Sequence, residues 1–98
     1  MKRTADDLRT ALALLERDGW RQGEFGPTDP GVREPRCALG ACRAVTPTLD
    51  RSVSAGAALC RALSHTELDV TDYNDHPGRR FSAIKRLFER AIAAEEAS

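Results

Sequence analysis

Residues 37–45, Cys-Ala-Leu-Gly-Ala-Cys-Arg-Ala-Val, form the stretch that most restricts how this chain can fold. Most of its side chains are small and apolar and Arg43 is its one charge, although 31% of the chain is charged. A helix built from this stretch is apolar on nearly every side, which is typical of a helix buried all round. Because Gly40 costs about 1 kcal/mol relative to Ala inside a helix, we expect a close packing contact there. The stretch therefore predicts a thin, buried helix around which the other elements pack.

The N-terminal segment predicts an amphipathic helix that ends at Gly19. Thr4 is the expected N-cap, and Asp7 is expected to reach back to it. The inner face follows the helical spacing i, i+3, i+4 and i+7 and consists of Leu8, Ala11, Leu12 and Leu15. Gly19 can adopt the left-handed conformation that closes a helix. Trp20 is then expected to fold back onto the last turn as a core anchor, with an exposed ligand-binding role as the alternative.

Residues 19–36 contain four glycines and three prolines, which are too many for a helix. A connection this long is uncommon in a compact domain and tends to be functional or to hold short strands. The sequence leaves two structures open for residues 20–35: an irregular loop, or a small β-hairpin that pairs residues 21–25 with residues 32–34. In either case Phe25 is expected to pin the segment to the core.

The second half of the chain predicts two more helices. The first is expected to be capped by Asp50 or Ser52, and its buried side is Val53, Gly56, Ala57, Cys60 and Leu63, with Leu59 at the margin. Residues 70–78 are polar and turn-rich. The last helix then buries Phe81, Ile84, Leu87, Phe88, Ala91 and Ile92. Both mid-helix cysteines, Cys42 and Cys60, are therefore expected in the core.

Together these patterns predict an all-α bundle of about four helices around the short buried helix, forming one domain over residues 1–98, with frayed ends at 1–3 and 94–98. The 15 basic and 15 acidic residues cancel, so the basic excess typical of nucleic-acid-binding proteins is missing. The sequence has neither a signal-peptide pattern nor an apolar run near the about 18 residues of a membrane span. The three cysteines fit no disulfide or zinc pattern. We therefore expect a cytoplasmic protein without a membrane segment, metal or cofactor.

Three segments together resemble a known family: residues 19–23 (Gly-Trp-Arg-Gln-Gly), 37–41 (Cys-Ala-Leu-Gly-Ala) and 73–79 (Tyr-Asn-Asp-His-Pro-Gly-Arg). They are similar to segments of a family of small uncharacterised bacterial and phage proteins, a domain of unknown function. Its members have a Leu-rich helix, Gly-Trp-x-x-Gly, Cys-Ala-Leu-Gly-Ala and a Trp-Asn-Asp segment before the last helix. The resemblance extends over nearly the whole chain and departs at Tyr73, where the family pattern has Trp. It implies one intact domain and no particular reaction.

Cys37 and His76 are the residues best suited to catalysis. A thiol at a helix start meets free amides and the positive end of the helix dipole, and Arg36 adds positive charge, so a thiolate is favoured. His76 could act as the base, with Asn74 or Asp75 orienting it, in an acyl-transfer arrangement. The alternative is a structural Cys37, since free cysteine is among the most buried residue types. The sequence leaves the distance between the thiol and the imidazole open.

The residues best suited to binding a ligand or partner are Trp20, Asn74, Asp75 and Arg79. In the alternative structural interpretation, Asn74 and Asp75 bond the backbone of their own turn and cap the final helix. The nearby carboxylates lack the closing Glu of a calcium loop, so we predict no metal site.

The function that the sequence favours is a small helical accessory module that binds a protein partner or a small molecule, with a homodimer as one such arrangement. The alternative is a small cysteine-dependent enzyme that uses Cys37 and His76. Nucleic-acid binding through the basic residues of the last helix is a third hypothesis, which the acidic residues interspersed with them disfavour.

Overall fold

A computed structural model describes residues 3–63 and 69–98, which form five α-helices. In chain order the helices are α1 (Arg3–Asp18), α2 (Ala38–Val45), α3 (Leu49–Ala62), α4 (Val70–Asp75) and α5 (Phe81–Ala97). The predicted all-α class is confirmed. The short helix α4 lies in residues that the sequence indicated only as polar and turn-rich, and its first turn is capped by Asp69, whose Oδ1 accepts from the Asp72 N–H at 2.8 Å.

The core lies where α1 packs against α2, α3 and α5. Its largest buried side chains have the predicted helical spacing on α1 and α5, and they include Leu8, Leu15, Ile84, Leu87 and Phe88. The faces predicted for α1 and α5 are therefore confirmed. In residues 3–63 and 69–98 every helix is either too short or too polar to cross a bilayer.

α2 is thin and mostly buried, as its small residues predict, but it is not buried all round, since Leu39 is half-buried and Arg43 is exposed. The chain before α2 presses directly on its first turn. A Cβ placed on Gly40 would lie 1.8 Å from the Phe25 carbonyl oxygen. That same oxygen accepts the Cys37 N–H at 3.3 Å. Residues 25 and 37 are thus held together over a position where any side chain would collide with the loop backbone, and the packing contact expected at Gly40 is confirmed.

Residues 20–35 form an irregular loop, and the hairpin alternative is wrong. In place of a ladder, this segment makes one isolated parallel bridge, between Trp20 and Arg36. The Arg36 side chain is fully buried and binds the loop from inside. Its guanidinium donates to the carbonyl oxygens of Pro27, Asp29, Val32 and Glu34 at 2.6–3.2 Å and to the Asp18 carboxylate at 2.9 Å. These backbone carbonyls therefore bond a side chain rather than a second strand.

The predicted helix caps differ from those in the structure. α1 already includes Thr4, and Asp7 is buried and bonded to Arg51 of α3 at 2.6 and 3.1 Å instead of reaching back along its own helix. α3 is capped by Thr48, not by Asp50 or Ser52, with the Thr48 Oγ1 accepting from the Arg51 N–H at 3.3 Å. The close of α1 is as predicted, since Gly19 has φ +102° and its N–H donates to the Leu15 carbonyl.

α5 continues to Ala97, beyond residue 94, where fraying was expected. Two glutamates in this last turn are paired with arginines of other helices. Glu95 binds Arg61 of α3 at 2.9 Å, and Glu96 binds Arg9 of α1. Cross-helix pairs of this kind hold a terminal turn that has few apolar residues.

The side of α3 predicted to be buried is wrong at Val53 and Cys60 and confirmed at Leu63, which lies in the core. Val53 is 61% exposed and Cys60 is also exposed, whereas Leu59, placed at the margin by the sequence, is fully buried. The residues of α3 that enter the core are Ala55, Ala58 and Leu59. Alanine lets two helix backbones approach closely, so α3 sits tightly on its neighbours and turns its larger residues outward.

Candidate functional site

An apolar hollow of about 290 Å³ lies between α2, α3 and the start of α4, and we call it the α3 groove. Its lining residues are Leu39, Arg43, Leu49, Ser52, Val53, Gly56, Cys60, Asp69, Val70 and Thr71. Gly56 forms part of the floor, because a Cβ at this position would meet the Leu39 side chain at 3.2 Å.

Two large apolar side chains stand exposed beside this hollow. Leu49 is 70% exposed and Val53 is 61% exposed. They lie one turn apart on α3, so they share one face of the helix. Single exposed apolar residues are ordinary, whereas large contiguous exposed apolar patches are typical of interaction sites.

Two charged residues of opposite sign, Arg43 and Asp69, are among the residues that line the groove. Arg43 follows the small residues of α2 near the turn to α3, since it also lines the surface around residues 46–49. Its guanidinium sits 4.5 Å from the centre of the Phe25 ring. Asp69 is the exposed cap of α4. The site is therefore largely apolar, with one cation and one anion in its lining.

A second and smaller cleft, of about 120 Å³, adjoins the α3 groove. The two share Leu39, Val70 and Thr71 in their linings. The small cleft also contains Cys37, Asp75 and Phe25, whose ring lies against the Arg43 guanidinium. It brings the predicted catalytic thiol to the edge of the groove.

Cys37 is the N-cap of α2, and its surroundings oppose thiolate formation. The side chain is 5% exposed, and the Gly40 N–H donates to its Sγ at 3.3 Å. Burial raises the pKa of the Cys37 thiol, the backbone N–H groups of Gly40 and Leu39 lower it in part, and the nearby Asp75 carboxylate raises it further. The positive charge expected from Arg36 is directed into the loop instead.

His76 is exposed at the end of α4, and its Nδ1 lies 2.9 Å from the Pro77 carbonyl oxygen. The structure gives it no hydrogen bond to Cys37. A nucleophile and its base must share such a bond, directly or through one water, for proton transfer. The ionisable groups that line the small cleft are the Cys37 thiol and the carboxylates of Glu24 and Asp75, which differ from the predicted pair of a thiol and an imidazole. The assignment of Cys37 and His76 as catalytic stays a prediction.

Asn74 is fully buried and joins three separate segments of the chain through its amide. Its Oδ1 accepts from the Trp20 indole at 2.7 Å and from the Ala38 N–H at 3.0 Å. Its Nδ2 donates to the Arg21 carbonyl at 3.1 Å and to the Asp75 carboxylate at 2.9 Å. One side chain therefore satisfies a free amide of α2, holds the tryptophan and closes the loop after α1.

The other predicted binding residues also make contacts within the chain. The Asp75 carboxylate accepts the Gly23 N–H at 2.9 Å. The Arg79 guanidinium lies 3.7 Å from the centre of the Tyr73 ring and donates to the Tyr73 carbonyl at 2.9 Å. Trp20 is partly buried and packs near Phe81, with ring centres 6.4 Å apart. These contacts fix α4 against the loop and α5, and they leave the binding roles of these residues as predictions.

The three segments that carried the family resemblance are thus the three that meet at Asn74. A profile of a family of unknown function, DUF6197, matches residues 1–94. The chain belongs to this family. The DUF6197 match includes α1 to α4 and most of α5, and the predicted membership of a family of unknown function is confirmed. No curated protein and no solved structure shows significant similarity to the chain.

The features of this DUF6197 chain that sequence reasoning missed are the buried Arg36 and the exposed stripe on α3. The sequence does contain a signal for this stripe. α3 has apolar residues on two of its sides, whereas a helix in a bundle needs only one apolar side to pack against the core. The core takes the side with Ala55, Ala58 and Leu59, and the other side is left for the groove. Within residues 3–63 and 69–98, no three His, Cys, Asp or Glu side chains are grouped as a metal ion would require.

Proposed function

We propose that this protein is a small helical interaction module that binds a protein partner through the α3 groove. The observation that carries the proposal is the exposure of Leu49 and Val53 beside an apolar hollow. Neither residue is needed by the core, since α3 packs through its alanines and Leu59. Burying two such side chains on binding would contribute roughly 1.5–3 kcal/mol each before the costs of association.

A protein partner suits this site better than a small molecule. The hollow of about 290 Å³ is at the lower limit of small-molecule pockets, which measure about 300–1,000 Å³. Leu49 and Val53 are 70% and 61% exposed, so a ligand that lies inside the hollow would leave much of both side chains in water. A macromolecular surface can cover the rim and fill the hollow with one anchoring side chain at the same time.

Arg43 and Asp69 would form the polar rim of such an interface. Charges at a rim contribute mainly to orientation and to the rate of association. The partner is therefore expected to present an apolar surface with polar or charged groups at its margin.

Photo-cross-linking in cells that produce the full chain tests this proposal. The photoreactive residue p-benzoylphenylalanine replaces Val53 in one variant and Arg86, exposed on α5 and outside the groove, in a matched control. We expect a discrete protein adduct from position 53 that position 86 does not give and that a further Leu49→Glu change abolishes. If position 53 gives no adduct, or both positions give the same ones, the proposal is wrong.

The accessory role, the cytoplasmic location and the bacterial or phage origin that the sequence suggested belong to this same proposal. The cysteine-enzyme hypothesis receives no specific support from the site, because the Cys37 thiol is buried with a raised pKa. The nucleic-acid hypothesis also receives no specific support. One of the basic residues of α5, Lys85, is paired with Glu16 of α1 at 3.0 Å.

A further inference from the structure

We infer that the α3 groove takes a protein segment in which a large apolar residue stands close to a carboxylate, and that Arg43 pairs with this carboxylate. The inference rests on the proposed function, which it deepens by stating the chemistry of the partner. The observations that carry it are the contacts of Arg43 and a second hollow that this residue lines.

Arg43 is exposed, and its guanidinium is held by an aromatic ring instead of a carboxylate. The guanidinium carbon lies 4.5 Å from the centre of the Phe25 ring. In the part of the chain that the structure describes, this guanidinium forms no ion pair and donates no hydrogen bond, whereas those of Arg36 and Arg51 bind aspartates. Contact with a ring face leaves the N–H groups at the edge of a guanidinium available to other acceptors. Arg43 therefore has donors for an acceptor on a partner.

The acidic residues in the neighbouring linings already have partners within the chain. Asp69, which lines the groove, accepts the Asp72 N–H through its Oδ1 at 2.8 Å. Glu24, which lines the small cleft, is paired with Arg21 at 3.0 Å. Since neither carboxylate pairs with Arg43, the positive charge of this residue is left for an anion from outside.

A second hollow, of about 330 Å³, adjoins the α3 groove and shares Arg43, Leu49 and Ser52 with it. We call it the hydroxyl hollow, because three threonines line it as well, Thr28, Thr46 and Thr48. Within residues 3–63 and 69–98, no acidic side chain lines this hollow. Hydroxyl groups can donate to an anion, so the hydroxyl hollow suits a negatively charged group. Arg43 and Leu49 thus lie where a largely apolar surface meets a surface that favours an anion.

A carboxylate matches this surface better than a phosphate does. A carboxylate and a guanidinium each carry one charge, and they form two parallel hydrogen bonds. A phosphate group on a protein carries a charge of about −1.5 to −2 and is typically bound by a cluster of arginines. Among the described residues, Arg43 is the one basic side chain that lines either hollow. The anion is therefore expected to be the carboxylate of an Asp or Glu side chain.

The apolar residue and the acid belong to one short segment of the partner. Leu49 is 70% exposed and lines both hollows, so a partner that covers it also comes to Arg43. A hollow of about 330 Å³ is about 7 Å wide, which is close to the reach of two residues of extended chain or four residues of helix. The acid should therefore lie within about four residues of the apolar anchor.

Selection from a random peptide library displayed on phage, with the full chain as the target, tests this inference. We expect the selected peptides to have Asp or Glu within about four residues of a large apolar residue. On Arg43→Glu the same selection should favour Lys or Arg at that place, because the charge that faces it is reversed. Arg86→Glu is the matched control, since Arg86 is exposed on α5 and lies outside both hollows, and it should select acidic peptides as the natural chain does.

Peptides without an acidic preference on the natural chain, or an acidic preference that persists on Arg43→Glu, would overturn the inference.

A thermodynamic cycle with one selected peptide gives a second test, in which the charge at position 43 is removed instead of reversed. Fluorescence anisotropy measures the Kd of the labelled peptide and of the same peptide with its acidic residue replaced by the corresponding amide. The amide peptide should bind the natural chain about three- to tenfold more weakly, and the two peptides should bind Arg43→Gln equally. Equal losses on both chains would mean that the acid does not pair with Arg43.

Octanoate tests the alternative occupant, because it has an apolar chain and a carboxylate in one small molecule. It should displace the labelled peptide only at or above about 1 mM, since its few atoms cover little of the exposed surface of Leu49 and Val53. Displacement at micromolar concentrations would assign the two hollows to a small amphiphilic carboxylate and would overturn the protein segment.

The outcomes separate this inference from the proposed function. A protein adduct from position 53 together with peptides that lack a charge preference leaves the proposed function standing and overturns the inference. Peptides whose charge preference reverses with the charge at position 43 support both. A library that yields no peptide bound more tightly by the natural chain than by Leu49→Glu is evidence against both.

Discussion

The Arg36 guanidinium and the Asp18 carboxylate form a buried ion pair, with Nη1 and Oδ2 2.9 Å apart and each side chain 1% exposed. Asp18 is the last residue of α1, and Arg36 directly precedes Cys37, the cap of α2. The pair thus ties the end of one helix to the start of the next. All five N–H groups of the guanidinium have acceptors, which is the condition for burying a charge without a large penalty.

Replacing Arg36 with Met should lower the free energy of unfolding by about 3–5 kcal/mol, because the change removes one partner of a buried pair and leaves four loop carbonyls without their donor. Urea denaturation measures the effect. Arg17→Met is the matched control, since the exposed Arg17 binds the same carboxylate from outside at 2.7 Å, and its effect should be much smaller. Equal losses in the two variants would mean that the buried position of Arg36 does not matter.

The pH dependence of stability should report the charge on Asp18. Hydrogen bonds from Arg17 hold the pKa of this carboxyl well below its usual range, with Arg36 and Arg33 adding to the effect and burial opposing it. The pKa of an Asp carboxyl in the unfolded chain is about 3.9. A carboxyl whose pKa is lower in the folded chain stabilises the fold fully at pH values above the unfolded pKa. This contribution to stability is lost as the pH falls towards the pKa of the folded chain.

We therefore expect the natural chain to have a higher Tm than Asp18→Asn, by an amount that is constant from about pH 7 to 5 and shrinks between about pH 4 and 2. Thermal unfolding followed by circular dichroism measures both chains in the same buffers. A Tm difference that is unchanged at about pH 3 would show that the Asp18 charge has no role.

Asn74→Ala should cost about 3 kcal/mol or more of stability, because the Trp20 indole, the Ala38 amide and the Arg21 carbonyl all lose a buried partner. Asn74→Asp gives a sharper result. An ionised Asp still accepts from Trp20 and Ala38, but it faces the Asp75 carboxylate, to which Asn74 donates at 2.9 Å. The loss of stability in Asn74→Asp should therefore be largest at neutral pH. Part of the stability should return at lower pH, where one of the two carboxyls gains a proton.

Urea denaturation at two pH values, with Trp20 fluorescence as the local signal, measures this recovery. Asn74→Ala is the control and should show no such recovery. If the two variants respond to pH in the same way, Asn74 does not donate to Asp75 as the structure indicates.

The sequence predicts α1 and α5 well, because each has a single long apolar stripe that can face in only one direction. Leu8 and Leu15 on α1, and Ile84 and Phe88 on α5, are buried as their spacing indicates. The spacing of α3 is ambiguous, since it has one stripe with Val53 and Cys60 and another with Ala55 and Leu59. The sequence analysis chose the stripe with Val53 and Cys60, and this choice was wrong. The size of apolar side chains does not reveal how closely two helix backbones approach, and close approach favours the stripe with Ala55.

Long-range polar contacts account for most of what the sequence could not predict. Asn74 was expected to bond its own turn or a ligand, whereas its main partners, Trp20 and Ala38, lie at least 36 residues away. Arg36 was expected to assist Cys37, whereas its acceptors are loop carbonyls whose positions depend on turns at several glycines and prolines. Such contacts follow from the folded path of the chain and leave no periodic pattern in the sequence.

The two helical glycines Gly40 and Gly56 should respond in opposite ways to substitution by Ala. Helix propensity alone would favour each change by about 1 kcal/mol. At Gly40 the new methyl group would lie 1.8 Å from the Phe25 carbonyl oxygen, so the loop must move and a net loss of about 1–3 kcal/mol is expected. At Gly56 it meets the end of the Leu39 side chain at 3.2 Å, which can shift.

Urea denaturation of dilute protein compares these two variants. We expect Gly40→Ala to be clearly destabilised and Gly56→Ala to be unchanged or slightly more stable. A Gly40→Ala chain as stable as the natural one would rule out the close approach of residue 25 to α2.

Alkylation by iodoacetamide at neutral pH should modify Cys60 alone in the folded chain. Cys60 is exposed, whereas Cys37 and Cys42 are buried. Burial raises the pKa of the Cys37 thiol and raises that of Cys42 to about 12, and only the thiolate reacts. Peptide mass spectrometry locates the modified residue. Cys60→Ser is the control and should remain unmodified until the chain is unfolded. Rapid alkylation of Cys37 in the folded control would show an accessible thiolate at the start of α2 and would favour the cysteine-enzyme hypothesis over the interaction module.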